Sequence, residues 1–236
     1  MCNHFKAGDD PEAFEQEVRA MLARITGVAV KGPVLYPPPV RANYTPHVWP
    51  KTVAPVVIDA PTGPEIAHLR WGVPVQIQGA TKPLTKFVTN ARDDSLHKFP
   101  WRNLLPGRRC LIPAAAYFEP DGPPGGKWEV RFSLRDRSAF FFAGMWDLDH
   151  DFKPSTFTMV TTGPNELAAK IHDRMPVVLD DAGARAWLGQ FPIPMERARE
   201  ICRPYSSTAM ESVALPPPEK KIRKQDLATG TGEFEF

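Results

Sequence analysis

The sequence predicts an α+β fold in which a few helices flank a curved or barrel-like, mostly antiparallel β core. Strand-like segments follow one another irregularly and helical segments are few, whereas a doubly wound parallel sheet needs strands and helices in regular alternation. The chain also has 27 prolines in 236 residues, about twice the usual frequency of about 5%. Because proline is excluded from helix interiors and central strands, this frequency favours short elements joined by many loops.

The N-terminal part predicts one helix followed by extended segments. Asp10 and Pro11 give the pattern of a helix start, an aspartate cap before a proline in the first turn. Apolar residues then recur on one helical face over residues 11–25. Residues 41–64 predict an extended, proline-broken segment with short strands, and residues 65–71 predict a further strand.

The middle of the chain predicts most of the sheet. Apolar or alternating runs predict strands at 108–118, 128–134, 138–146, 157–161 and 177–179. Shorter helical patterns lie at 163–172, 181–188 and 194–201.

The last part of the chain differs in composition from the rest. From residue 216 a proline run is followed by charged residues and then by a stretch of glycine and threonine, so we expect one folded domain at 1–215 and a flexible tail at 216–236. No apolar run approaches the roughly 20 residues of a membrane helix, and the N-terminus lacks a secretory signal pattern. We therefore expect a cytoplasmic protein with no membrane partner.

The cysteines and the charges set further limits. Cys2, Cys110 and Cys202 are odd in number and far apart, which fits neither a disulfide framework nor a zinc spacing, and no metal or organic cofactor is predicted. The formal net charge is only +2, but residues 82–109 hold seven basic and two acidic side chains. Such a segment is typical of a polyanion site and equally of a solvated loop face.

Cys2 has a chemical property that the internal cysteines lack. If Met1 is removed, Cys2 carries a free α-amine of pKa about 7.7–8.0 beside a thiol of pKa about 8.5, so both have a reactive fraction near neutral pH. The amine can condense with an aldehyde to an imine, on which the thiolate can close a five-membered thiazolidine. Alternatively, the thiol can attack an acyl carbon.

Three further side chains could act with Cys2. Glu119 ends an apolar strand between aromatic residues, where desolvation would raise its pKa and suit it to acid-base work, although a surface glutamate at a loop edge has the same pattern. His172 could transfer protons near neutral pH or simply pair with a helix end. Asn90 could hold an amine or a sugar oxygen, or form a turn.

Together these residues resemble a known family. Met1-Cys2, Asn90-Ala91-Arg92, Phe118-Glu119 and His172-Asp173-Arg174-Met175-Pro176 occur in the order and at roughly the spacing of the SOS-response-associated peptidase (SRAP) family, the abasic-site processing proteins. Arg41-x-Asn43-x-x-Pro46 and Trp71-Gly72 also match family segments. The resemblance covers about residues 1–215.

The resemblance implies an enzyme of the SOS-type DNA damage response, associated with the nucleoid when bound to DNA. Its partner would be single-stranded DNA containing an abasic site, whose ring-opened aldehyde would form an imine and then a thiazolidine crosslink with Cys2. Asn90 would position the N-terminus and deoxyribose, Glu119 would act as general acid and base, and His172 would assist imine formation or resolution. Autopeptidase and lyase activities are also implied.

The resemblance further implies a set of DNA contacts. Arginine suits phosphate because its planar fork of donors matches the phosphate oxygens, and an aromatic ring can stack on a base. The implied DNA-binding residues are Arg92, Arg174, Trp71, His4 and Asn43.

The chain departs from the family beside the nucleophile, where Asn3 and His4 replace the usual Gly-Arg. Because histidine lacks a permanent positive charge, the sequence predicts weaker and more pH-dependent DNA binding with the chemistry retained. Two alternatives stay open at this stage. One is a thiol peptidase that uses Cys2 as an N-terminal nucleophile on peptides, and the other is a non-catalytic single-stranded DNA-binding module.

Overall fold

The computed structural model describes residues 2–30, 35, 44–78, 82–124, 126–148, 154–189 and 191–216. Asn43 and, apart from Pro216, the predicted tail lie outside the described residues. Within those ranges no helix is long and apolar enough to cross a membrane.

The chain begins with a short strand and the predicted helix, β1 (Phe5–Lys6) and α1 (Pro11–Thr26). The Asp10 carboxylate accepts the backbone N–H groups of Glu12 at 2.8 Å and Ala13 at 3.1 Å, which caps two donors that the first turn leaves free. Gly27 ends the helix at φ +74°, a conformation that favours glycine. The predicted helix is thus confirmed.

The next strands are β2 (His47–Val48), β3 (Val53–Ala60), β4 (Gly63–Trp71), β5 (Val73–Ile77), β6 (Leu84–Val88) and β7 (Asn90–Arg92). β3 is one continuous strand, so the expected proline break is wrong. Pro55 is tolerated because β3 pairs there with β4 alone, and its second neighbour, β8, pairs only at Val57 and Ile58.

The remaining elements are α2 (Trp101–Leu104), β8 (Arg109–Ala114), β9 (Ala116–Asp121), β10 (Trp128–Leu134), β11 (Phe140–Leu148), β12 (Pro154–Thr162), β13 (Met175–Pro176), β14 (Val178–Leu179), α3 (Asp181–Trp187), α4 (Met195–Ile201) and β15 (Met210–Ala214). The expected single strand at 108–118 is interrupted at Ala115 to give β8 and β9. The expected helix at 163–172 is reduced to a 3₁₀ turn, Ala168–Lys170.

The strands form a closed barrel beside a second sheet. The barrel order is β12–β4–β3–β8–β11, and β11 pairs again with β12 to close the ring. Its pairings are antiparallel except between β4 and β12. The second sheet has the order β15–β10–β9–β1–β2. The predicted barrel-like, mostly antiparallel fold is confirmed.

The position of β1 determines where the N-terminus lies. Phe5 pairs with Val48 of β2 on one side and with Tyr117 of β9 on the other, so β1 is an inner strand of the second sheet. An apolar cluster that includes Cys2, Phe5 and Tyr117 joins this sheet to the barrel. Cys2 and Phe5 are therefore buried where the two sheets meet, whereas Asn3 between them is exposed.

Arg109 is a buried structural residue rather than part of a basic surface. Its side chain is 2% exposed, and its guanidinium donates hydrogen bonds of 2.6–2.8 Å to backbone carbonyls that close loops around the barrel. The acceptors are the carbonyls of Leu105, Pro106, Trp187, Gly189 and Phe191.

We expect Arg109→Lys to lower the free energy of unfolding by about 2–4 kcal/mol, because one ammonium cannot reach carbonyls on separate loops and leaves several of them unpaired. Urea unfolding measures the change. Arg108→Lys is the matched control, since Arg108 is half-buried and makes one ion pair with Asp147 at 2.7 Å. Equal losses in the two variants would contradict this role for Arg109.

Candidate active site

Cys2 lies at the buried end of the N-terminal strand. Its side chain is 1% exposed, and its thiol donates to the backbone carbonyl of His4 at 3.3 Å. Burial raises the pKa of the thiol well above its usual range, and the charge of the nearby Glu119 carboxylate raises it further. The thiol is therefore protonated at rest, and any attack by sulfur requires a base nearby.

Asn90 holds the backbone of Cys2 from the barrel side. It begins β7, which pairs in parallel with β12. Its amide Nδ2 donates to the carbonyl of Cys2 at 3.0 Å and also lies 3.4 Å from the side-chain oxygen of Asn3. The other amide atom, Oδ1, is buried and has no hydrogen-bond partner within the described ranges. It can accept from an amine or a hydroxyl group placed beside Cys2.

Glu119 is buried on β9, the strand that pairs with β1. Glu119 is 1% exposed, and desolvation raises the pKa of its carboxyl group to about 7. A carboxyl group with a pKa close to the ambient pH can give and take a proton with similar ease. Its charge also acts on the Cys2 thiol, so a titratable carboxyl group lies near this cysteine.

His172 follows the 3₁₀ turn and is half-buried. Its Nδ1 lies 3.0 Å from the backbone N–H of Arg174, which it accepts when unprotonated, and 2.8 Å from the Asp173 carboxylate, to which it donates when protonated. Desolvation lowers the pKa of His172, so the ring is uncharged near neutral pH and can exchange protons.

Two of the predicted DNA contacts are corrected because their side chains are buried. Trp71 is fully buried, and its indole N–H donates to the carbonyl of Thr89 at 2.8 Å, so it supports the residue before Asn90 and offers no face to a base. Arg174 is 8% exposed, and its guanidinium binds Asp93 and the carbonyl of Thr161. Its main contacts are internal, not with a phosphate.

The predicted phosphate contact of His4 is also corrected. The residue is 4% exposed, and both ring nitrogens have partners in Glu129 and His47. Both nitrogens are thus engaged inside the protein, and the ring offers no free donor to a phosphate at the surface.

Arg92 is the predicted arginine that remains accessible. Its side chain is 49% exposed and pairs with Asp94, itself half-exposed. Such exposed pairs exchange readily for a phosphate because they contribute little free energy. Lys82, Lys86, Lys98 and Arg102 of the basic segment are exposed as well, so most of the segment's positive charge faces solvent.

Sequence reasoning missed the aromatic residues at this surface. Trp49 is 46% exposed and stacks on the ring of His4, and Phe87 is 43% exposed beneath the ammonium of Lys51 at 5.7 Å. No local pattern identifies Trp49, because it meets His4 only through the pairing of β1 with β2. Among the described residues, no group of three or more His, Cys, Asp or Glu side chains forms a possible metal site.

The fold and the site define a closed β-barrel protein whose inner N-terminal strand carries a cysteine between an asparagine amide and a buried carboxyl group. Sequence comparison agrees with that class. The chain matches the SOS response associated peptidase (SRAP) family over residues 1–217, and it belongs to that family.

Relatives and solved structures extend the comparison. The chain is 30% identical over 171 residues to the abasic site processing protein YoqW of Bacillus subtilis (strain 168), a match that covers 70% of this chain and 76% of YoqW. It is 27% identical over 176 residues to the abasic site processing protein HMCES of Gallus gallus, covering 63% and 52% of the two chains.

The solved structures share the fold. A protein from Bacteroides thetaiotaomicron superposes with a TM-score of 0.69 at 19% identity, covering 91% of this chain and 92% of the other. A protein from Bordetella bronchiseptica gives a TM-score of 0.66 at 23% identity, covering 91% and 99%.

Proposed function

We propose that this protein processes abasic sites in single-stranded DNA by forming a thiazolidine crosslink through Cys2, as part of an SOS-type DNA damage response. The observation that carries the proposal is the meeting of Cys2, Asn90 and Glu119 at one buried point. YoqW, a relative that is 30% identical over 171 residues, is named an abasic site processing protein, which supports the proposal. The proposed setting is the cytoplasm, with the protein at the nucleoid when it is bound to DNA.

The first step is condensation of an amine with an aldehyde. With Met1 removed, the α-amine of Cys2 attacks C1′ of the ring-opened deoxyribose and forms a carbinolamine. The Oδ1 atom of Asn90, a buried acceptor in the described structure, would receive the N–H of this amine. Because Nδ2 of the same side chain already holds the carbonyl of Cys2, Asn90 would fix both ends of the reacting residue.

The second step is loss of water from the carbinolamine. Glu119 in its neutral form donates a proton to the leaving hydroxyl, and the carbon–oxygen bond breaks to give a protonated imine, which keeps its N–H, one water molecule and the ionised Glu119. With a pKa of about 7, Glu119 is protonated in a large fraction of molecules near neutral pH. His172, half-buried and uncharged, would serve as a second proton carrier during formation or resolution of the imine.

The third step is ring closure. The ionised Glu119 takes the proton of the Cys2 thiol, the thiolate adds to the carbon of the protonated imine, and the C=N electron pair moves to nitrogen to give a neutral secondary amine. One carbon–sulfur bond forms, and the only product released over the sequence is the water of the second step. The proximity of Glu119 to the thiol supports this assignment.

The proposal is tested with a single-stranded oligonucleotide that contains one abasic site. After Met1 removal is established by intact mass, the protein should form one adduct that survives heating in denaturant, with a mass equal to protein plus DNA minus one water. Absence of this adduct overturns the proposed function. Binding of intact strands without an adduct supports the DNA-binding module, and Cys2-dependent peptide cleavage supports the thiol peptidase.

Asn90→Ala is expected to slow adduct formation by about 10- to 100-fold, because loss of a buried hydrogen bond costs about 1–3 kcal/mol and frees the N-terminal residue. Affinity for intact single strands should change little, since the side chain is buried at the nucleophile. Single-turnover rates and fluorescence anisotropy separate the two effects. Asn103→Ala, on the exposed surface, is the control, and an equal fall in that variant would contradict the role of Asn90.

Arg92→Ala is expected to weaken binding of single strands by about 3- to 10-fold and to reduce the slope of log K against log salt by about one contact. The physical reason is the loss of one exposed guanidinium from the basic surface. Titrations at several salt concentrations measure the slope. Arg19→Ala, on α1 and paired with Glu15, should leave the slope unchanged, and a parallel change in both variants would contradict the placement of DNA at Arg92.

Asn43 remains a proposed DNA contact from the family motif.

A further inference from the structure

The ring of His4 is enclosed by aromatic residues. It stacks on Trp49 with ring centroids 3.7 Å apart and an interplanar angle of 14°, and on Phe118 at 4.1 Å and 16°. Trp49 follows β2 and Phe118 belongs to β9, the two strands between which β1 lies. The imidazole ring is therefore packed on both faces, and its two nitrogens are directed at the neighbouring strands β10 and β2.

The same ring is the middle member of a directed hydrogen-bond chain. His4 Nδ1 lies 2.8 Å from Glu129 Oε1, and His4 Nε2 lies 2.6 Å from His47 Nδ1. An ionised carboxylate only accepts, so His4 carries its proton on Nδ1 and its Nε2 accepts from the Nδ1–H of His47. We call these three side chains, His47, His4 and Glu129, the imidazole chain.

The imidazole chain is connected to the thiol through the backbone of His4. The carbonyl of His4 accepts the Cys2 thiol at 3.3 Å and the N–H of Phe118 at 3.0 Å. Because the ring and this carbonyl belong to one residue, anything that fixes the ring also fixes the acceptor that orients the sulfur. A change of the ring would move the thiol while leaving the side chains of Asn90 and Glu119 in place.

We propose that His4 is a positioning residue for Cys2, and that the imidazole chain together with the stack on Trp49 and Phe118 holds the thiol where ring closure requires it. This inference rests on the proposed crosslinking function. It gives this chain's His4 a task in the reaction that does not involve contact with DNA. It also explains why polar side chains from β2 and β10 converge on a buried ring.

The charged surroundings are compatible with this direction of the chain. Glu129 faces His4 from β10, and His47, on β2, has Lys6 and Asp9 nearby. Desolvation lowers the pKa of both histidines, so each ring has one proton near neutral pH. A second proton on His4 Nε2 would require His47 to carry its own proton on Nε2, which reverses the direction of the hydrogen bond between the two rings.

The kinetic test uses variants that keep the shape of the stack. His4→Phe preserves an aromatic ring between Trp49 and Phe118 but removes both nitrogens, and it should slow single-turnover crosslinking about 10-fold with affinity for intact strands within about twofold of wild type. Glu129→Leu should behave in the same way. Glu129→Gln should restore most of the rate, because its amide oxygen still accepts from Nδ1. Glu211→Gln on the neighbouring β15 is the matched control.

Wild-type rates in both His4→Phe and Glu129→Leu overturn the inference. It is also overturned if the rates fall only in proportion to DNA affinity, or if Glu129→Gln is as slow as Glu129→Leu.

A second measurement does not depend on the crosslink. In protein labelled with ¹⁵N-histidine and free of DNA, His4 and His47 should each show a protonated Nδ1 and an unprotonated Nε2. In addition, alkylation of Cys2 by iodoacetamide should change in His4→Phe but not in Glu211→Gln. A His4 ring protonated at Nε2 overturns the inference even if crosslinking occurs. Conversely, failure of the wild-type protein to crosslink, with the expected histidine spectrum, overturns the proposed function alone.

Discussion

Replacement of Cys2 by serine is expected to abolish the heat-stable adduct with abasic DNA, a fall of at least about 1,000-fold, while an imine that borohydride can trap persists. Serine keeps the α-amine that forms the imine. Its hydroxyl is a far weaker nucleophile than a thiolate and does not close a stable ring on the imine carbon. The two products are separated by denaturing gels run with and without prior borohydride reduction.

The control for this variant is Cys202→Ala, which removes another buried thiol. Crosslinking there should match the wild-type rate. A heat-stable adduct of wild-type yield in Cys2→Ser would exclude sulfur as the ring-closing atom, and loss of the borohydride-trapped species as well would exclude the terminal amine as the first nucleophile.

Glu119→Gln is expected to slow crosslinking by about 100- to 1,000-fold and to alter its dependence on pH. In the wild-type protein the rate should rise as the terminal amine loses its proton, with a pKa of about 7.7–8.0, and should fall as Glu119 loses the proton that it donates, with a pKa of about 7. The glutamine variant should keep the rising limb and lose the falling one. Single-turnover rates between pH 5.5 and 9 test this, with Glu65→Gln as the control.

The raised pKa of Glu119 also has a consequence for stability. The folded protein holds this proton up to about pH 7, whereas an ordinary glutamate has a pKa of about 4.5. The contribution of Glu119 to stability is therefore complete below about pH 4.5 and is lost as the pH rises to about 7. Relative to Glu119→Gln, the wild-type protein should lose on the order of 3 kcal/mol over this range. An unfolding free-energy difference that stays constant with pH would contradict the raised pKa.

The two corrected cationic contacts show where sequence reasoning fails. Arg174 and His4 belong to residue types that bind phosphate, and their positions along the chain gave no sign of burial. Their partners come from distant segments, Asp93 for Arg174 and Glu129 for His4, which is 125 positions away. The sequence gives the charge of a side chain. It does not show whether that charge is exposed to solvent or paired inside the protein.

The secondary structure also divides into elements that local sequence predicts and pairings that only the folded chain shows. The helix at Pro11–Thr26 was predictable because its cap and apolar period are local. The β5–β6 hairpin and β15 were not predicted, and the closure of β11 onto β12 has no local signal. Pairing depends on neighbours that are remote in sequence, so only the folded chain specifies it.

By itself, the sequence determined the fold class, the family and the identity of Cys2, Asn90 and Glu119 as candidate groups, because residue type and motif order carry this information. The tertiary structure alone decided that β1 lies inside a sheet, that the thiol is buried beside a carboxyl group with a raised pKa, and that His4 joins His47 and Glu129. The physical reason is that desolvation and hydrogen-bond partners arise from packing between distant strands, and these set the pKa and the position of a reactive group.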